Sequence, residues 1–186
     1  GRRKIHWKAW DYLLQPKCEG GLGFHNYRLF NQALLARQAW RLIDRPESLS
    51  ARLLKSRYYL DGQLEDTVFS GNASPPWQAI SYGLELLKKG LVWRVGNGAS
   101  IRVWRDNWIP RTHSFKPVTP RGNCRIRYVS ELLTDNGSWN MNLLQNYFWP
   151  CDVNEIIKIR ASPRHEEDTI AWGPGKFGQF SVKSAY

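Results

Sequence analysis

Apolar and polar positions change period several times along the 186-residue chain, and each change marks an element. In LFNQALLARQAWRLIDRP, the residues Leu29, Ala33, Ala36, Trp40 and Ile43 recur at alternating spacings of four and three. That pattern predicts one buried stripe of a helix, which Pro46 ends. A second helix is predicted from Ser48 to Tyr59, with Ser48 as its N-cap and Leu49, Leu53 and Leu54 inward. A third, over Trp77 to Lys89, sets Trp77, Ile80, Leu84 and Leu87 on one side and stops at Gly90. Upstream, a short helix over Trp7 to Leu14 is cut off by Pro16 and followed by the turn glycines Gly20, Gly21 and Gly23. After Gly90 the period falls to two. LVWRV and SIRVW read as strands joined by Gly96-Asn97-Gly98, which predicts a hairpin over 91–104.

Farther on, short helical pieces are predicted at Val129 to Leu133 and Asn140 to Phe148, and Asp152 with Glu155 makes a capping-box pattern before Ile156. DTIAW and QFSV flank a glycine-rich turn and predict a closing hairpin. At SVKSAY a new helix starts just where the chain stops, as expected of an excised or truncated segment. The fold class is therefore α+β, mainly α-helical. A helical module spans 1–60, a polar loop 61–76 and a mixed module 77–167 around the hairpin, with a further segment over 168–186.

Composition narrows the class. No run approaches the roughly 18 apolar residues of a membrane helix, and the basic opening GRRKIHWK has no apolar signal core, so no membrane partner is expected. Cys18, Cys124 and Cys151 are far apart and odd in number. They predict a reducing intracellular compartment, and neither a disulfide framework nor a self-contained zinc site; the address is nucleus or cytoplasm, and open for a standalone protein. The net charge of +11 is unevenly placed. Residues 1–60 hold 12 Lys/Arg against 4 Asp/Glu, residues 61–130 hold 10 against 5, and residues 131–186 hold 5 against 7. A polyanion partner explains such a field, through release of counterions from neutralised phosphates, and so does simple solubility.

Particular residues sharpen the first reading. Arg37, Arg41 and Arg45 stand four apart on one helix face, as a phosphate-facing ridge or a solvated surface. Arg52 and Lys55 extend the basic face on the next helix, while Arg94, Arg102 and Arg105 surround the hairpin. Trp104 or Trp108 is a candidate platform for an unpaired base. Trp40, Trp77 and Trp93 sit in apolar patterns and belong to the core. Two acidic clusters, Asp61/Glu65/Asp66 and His165/Glu166/Glu167/Asp168, lie in polar turns where solvated charge runs are ordinary. No catalytic residue, metal site or cofactor is assigned.

Three ordered blocks carry a resemblance over nearly the whole chain: PKCEGGLGFHNYRLFNQALLARQAWRL, WQAISYGLELLKKGLVWRVGNGASIRVWRDNWIP and GQFSVKSAY. The chain resembles the polyproteins of plant non-LTR (LINE-type) retrotransposons, in the segment just downstream of the reverse-transcriptase palm. The resemblance implies a thumb-like helical region and a connector that reaches the start of a zinc-binding domain. The palm's paired aspartates have no counterpart here, since no Asp-Asp pair occurs, and none of the cysteines has zinc-ligand spacing. What the resemblance implies is a non-catalytic grip on RNA or DNA, as a primer–template-like duplex or a single strand. The alternative is a protein-interaction module that binds another protein or itself, the product of a truncated retroelement gene. A metal-dependent nuclease built on either acidic cluster is the third reading.

Overall fold

The computed structural model describes residues 9–60, 63–67, 73–111, 114–160 and 166–186. Four helices come first: α1 (Trp10–Leu14), α2 (Tyr27–Asp44), α3 (Leu49–Tyr58) and α4 (Pro75–Leu87). Strand β1 (Leu91–Arg94) leads into an irregular region that ends in α5 (Met141–Tyr147) and α6 (Pro150–Ile156). Strand β2 (Thr169–Trp172) and the short α7 (Val182–Ala185) follow. This is a mainly helical α+β fold with one two-stranded antiparallel sheet among the described residues.

Helix α2 starts where the Asn26 carboxamide accepts the N–H groups of Arg28 and Leu29. Its buried residues are Ala33, Ala36, Ala39, Trp40 and Leu42. The three alanines let α4 approach closely. A Cβ on Gly83 of α4 would stand 2.4 Å from the Ala36 nitrogen, so this crossing admits nothing larger than glycine. The predicted stripe is correct at its centre and shifted at its ends. Leu29 is exposed and Ile43 half-buried, because the close approach falls at Leu35 and Ala36, well past the first turn.

Helix α3 is capped by Ser48, whose Oγ accepts the Ala51 N–H at 3.3 Å. Its rotation differs from expectation: Leu49 and Leu53 face solvent, while Ala51 is buried and Leu54 half-buried. The cause is Tyr58, whose ring stacks on Trp77 of α4 at 4.3 Å and 5°. Positions four and seven before Tyr58 share its face, and these are Leu54 and Ala51. In α4 the apolar side is as read, with Trp77, Leu84 and Leu87 buried. This helix packs with α2, in the same core as Trp40, Leu91 and Trp172.

The predicted hairpin over 91–104 does not form. Strand β1 pairs instead with β2, in the register Leu91↔Trp172, Val92↔Ala171, Trp93↔Ile170 and Arg94↔Thr169. Gly96-Asn97-Gly98 does make a tight loop, but its backbone closes on a carboxylate. The N–H groups of Gly96, Gly98 and Ser100 each donate to Asp168 at 2.8 Å. Residues 101–104 have only a single bridge, Arg102 to Tyr128. The closing hairpin is also absent. After β2 the chain turns at 176–178, and QFSV runs into α7, capped by Ser181.

The second core contains Val95, Ile101, Val103, Trp108, Ile109, Val129, Leu132, Leu144, Phe148 and Ile156. The β-ribbon forms the seam between the cores, with Leu91 and Trp172 in the first and Trp93 packed against the second. Helix α6 begins at Pro150, earlier than the capping-box pattern implied, so Asp152 lies inside the first turn. Its buried carboxylate accepts from Arg111, from the Val118 and Thr119 N–H groups and from the Thr119 hydroxyl.

Candidate nucleic-acid interface

The exposed cations concentrate on α2 and α3. Between Tyr27 and Tyr59 there are seven Lys/Arg and two Asp/Glu, and all seven cations are exposed. Arg37 and Arg41 stand one turn apart on α2, and Arg41 donates to the Gln38 carboxamide at 3.1 Å. Arg45 occupies the C-cap position, just off the helix. It lies 3.9 Å from Asp44 with its side chain 80% exposed, an ion pair that water and salt weaken to almost nothing. On α3, Arg52 and Lys55 are exposed, and Arg57 lies over the Tyr58 ring at 5.6 Å. Arg41, Lys55 and Arg57 fall in last turns, where they also complement the helix dipoles.

The arginines from the end of β1 onward are placed differently. Arg94 Nη2 donates to the Phe177 carbonyl at 2.8 Å, and the guanidinium fills the space a Cβ on Gly178 would take. Arg102 grips Asp106 through Nε at 3.0 Å and Nη2 at 2.7 Å, and reaches Asp66 through Nη1 at 2.9 Å. Its hydrogen bonding to Asp106 raises its pKa further above the ordinary value; partial burial opposes this and Asp66 adds to it. Arg105 donates to the other Asp66 oxygen at 3.1 Å. Two arginines and two aspartates thus form a neutral cluster, and Arg102 is a structural residue with its fork already filled.

Trp104 and Trp108, the expected stacking platforms, are both packed. Trp108 is 1% exposed and donates its indole N–H to the Val103 carbonyl at 2.9 Å. Trp104 lies on Phe148 at 5.1 Å and 15° and donates to the Ile126 carbonyl at 3.1 Å. Both indoles are therefore committed to the packing of this region rather than open as platforms.

The acidic clusters also resolve in part. Asp66 receives two arginines and Asp168 three backbone N–H groups, while Glu166 and Glu167 are exposed. Asp61, His165 and the Glu65 side chain lie outside the described residues. Among the described residues, no three His, Cys, Asp or Glu converge to hold a metal ion, and no helix is long and apolar enough to cross a membrane.

Two groups escaped the sequence reading. One is the Asp168 cradle, whose Gly-Asn-Gly backbone is an anion-accepting shape in its own right. The other is the Asp152 centre. Its carboxyl is disfavoured as an anion by burial, but the Thr119 hydroxyl, the Thr119 and Val118 N–H groups and Arg111 outweigh this and hold its pKa below the ordinary value.

Comparison with known proteins bears on this arrangement. An uncharacterized mitochondrial protein of Arabidopsis thaliana is 43% identical over 118 residues, covering 63% of this chain and 77% of the relative. The chain belongs to that protein's family. A second protein of the same plant, named as a candidate ribonuclease H protein, is 29% identical over an alignment of 199 residues. That alignment covers 100% of this chain but only 31% of the relative, so the chain spans about a third of that protein. No family model and no solved structure matches. The two relatives are consistent with a retrotransposon-derived protein, in keeping with the resemblance carried by the three sequence blocks.

Proposed function

We propose that the chain is a non-catalytic nucleic-acid-binding module, either part of a retroelement reverse-transcriptase polyprotein downstream of its palm or a host protein derived from one. It grips the phosphate backbone through the α2–α3 face. The observation that carries this reading is the exposure of all seven cations between residues 27 and 59, opposed by only two carboxylates. Backbone contacts of this kind tolerate any sequence and weaken steeply with salt. Arg37, Arg41 and Arg45 lead the grip, with Arg52 and Lys55 beside them. Arg94 and Arg105 are secondary because each already holds a protein partner.

Fluorescence anisotropy with an RNA–DNA hybrid, a DNA duplex and a single strand, at low and physiological salt, tests the proposal. Binding that falls with salt and with charge reversal at Arg37, Arg41 and Arg45 supports it. Absence of binding at low salt for all three ligands defeats it.

A protein-interaction module is the second reading, and a specific surface favours it. Trp10, Leu22, Phe24, Tyr27, Leu29 and Leu34 are all at least 40% exposed near the start of α2. The Trp10 ring lies 6.0 Å from Phe24 and 5.8 Å from Tyr27, and exposed apolar groups clustered in this way mark contact sites. Light scattering across a concentration series reads self-association directly.

A further inference from the structure

The tryptophans picked for base stacking are packed, but another stands open. Trp149, at the N-cap of α6, is 51% exposed, and Tyr147, at the end of α5, is 42% exposed. Beside them runs an open groove of about 600 Å³ whose other wall is the 119–124 segment. Arg121, Asn123, Gln145 and Asn146 line it together with the two aromatics, and no carboxylate is among its lining residues.

Its walls are fixed from beneath. Thr119 Oγ1 donates to the buried Asp152 carboxylate and accepts the Trp149 N–H at 2.8 Å, so one hydroxyl joins the 119–124 wall to the aromatic wall. Between the two exposed aromatics, Phe148 is buried and stacked on Trp104. On the far side Arg121 Nε donates to the Cys124 carbonyl at 3.3 Å, and the residue is exposed. The backbone that carries the two exposed rings is thus held in place, so that wall loses little freedom when something lies against it.

Chemical complementarity selects the occupant. An indole face offers stacking, three carboxamides offer paired donors and acceptors of the kind that base edges present, and a guanidinium offers a phosphate contact. A duplex keeps its bases stacked on one another and presents no base face to such a groove. We propose that this groove binds an unpaired base of single-stranded RNA or DNA, with Trp149 as the stacking platform, the carboxamides on the base edge and Arg121 on the adjoining phosphate. The inference rests on the nucleic-acid reading above but concerns different elements from the α2–α3 face.

The test uses short single strands of RNA and of DNA carrying one 2-aminopurine, with the DNA duplex in parallel. For the wild-type chain, stacking quenches the 2-aminopurine emission on binding, and the RNA and DNA arms show which strand is preferred. Trp149→Ala should abolish the quench and weaken single-strand binding roughly fivefold to a hundredfold, leaving duplex affinity unchanged. Trp149→Phe should restore most of both, which separates stacking from a folding defect. Duplex binding with no quench, or a Trp149→Ala chain that still quenches and binds single strands like wild type, overturns the groove and leaves the α2–α3 reading standing. Failure to bind any of the three ligands defeats that reading and the groove with it.

Discussion

The α2–α3 face and the 94–111 segment are both rich in arginine, yet they use it in opposite ways. On the helices, Arg37, Arg41, Arg45 and Arg52 project into water beside few acids. At the end of β1 Arg94 is tied to a carbonyl, and in the irregular segment after it Arg102, Arg105 and Arg111 are tied in turn to two aspartates, one aspartate and a buried carboxylate. A segment with so little regular structure leaves its backbone and turns to be held by side chains, and a guanidinium with five donors suits that task. Helices satisfy their own backbone, so their surface cations remain available. Positive charge in the sequence is therefore one signal with two meanings, and the presence of a carboxylate or carbonyl within reach separates them.

The sharpest way to break this contrast is through the buried carboxylate. Asp152→Ala should destabilise the chain by about 3–5 kcal/mol, because it leaves Arg111 and two backbone N–H groups without their acceptor. Urea unfolding measures this, and a loss under about 1 kcal/mol would count against the structural role. The neutral cluster comes next. Arg102→Ala should cost about 2–3 kcal/mol by leaving Asp106 and Asp66 short of donors, with no change in affinity for a DNA duplex beyond the loss of folded chain. Gly83→Ala should cost about 1–3 kcal/mol, since the added methyl meets helix backbone and not a movable side chain.

A smaller effect follows from pH. Since the folded pKa of Asp152 lies below its ordinary value of 3.8, its contribution is complete above that pH and is lost as pH falls through the folded value. Asp152→Asn should flatten the acid limb of the stability curve while leaving its shape near neutrality unaltered. The smallest effect on stability should come from the exposed face. Replacing Arg37, Arg41 and Arg45 together with alanine should change unfolding free energy by no more than about 0.5 kcal/mol per site, because none is tied to a buried group.

How much of this was legible follows from sequence distance. Helices α2 and α4 were readable because a local period decides which side is apolar, and Asn26 and Ser48 act within three residues. The turn of α3 was not, since Trp77 sets it from beyond the 61–76 segment. Gly96-Asn97-Gly98 looked like a hairpin because the residue it encloses, Asp168, arrives some 70 positions later. The spacing of four likewise places Arg37 and Arg41 one turn apart, though not Arg45, which leaves the helix at its cap, and the same interval joins Arg102 to Asp106. Asp66, which completes that cluster from 36 positions upstream, could not be placed from the sequence. Trp149 had a quiet local signal: a proline at the first helical position puts the preceding residue outside the helix, at its cap.

The most direct measurement is the salt dependence of binding to a DNA duplex for three chains. These are wild type, the Arg37/Arg41/Arg45 triple alanine variant and an Arg94/Arg105 double alanine variant. If the helical face grips phosphates, the triple variant should lower the slope of log affinity against log salt by about 2–3, and the double variant by less than about 1. Equal slopes for wild type and the triple variant, or a larger drop for the double variant, would contradict the division between exposed and structural arginines.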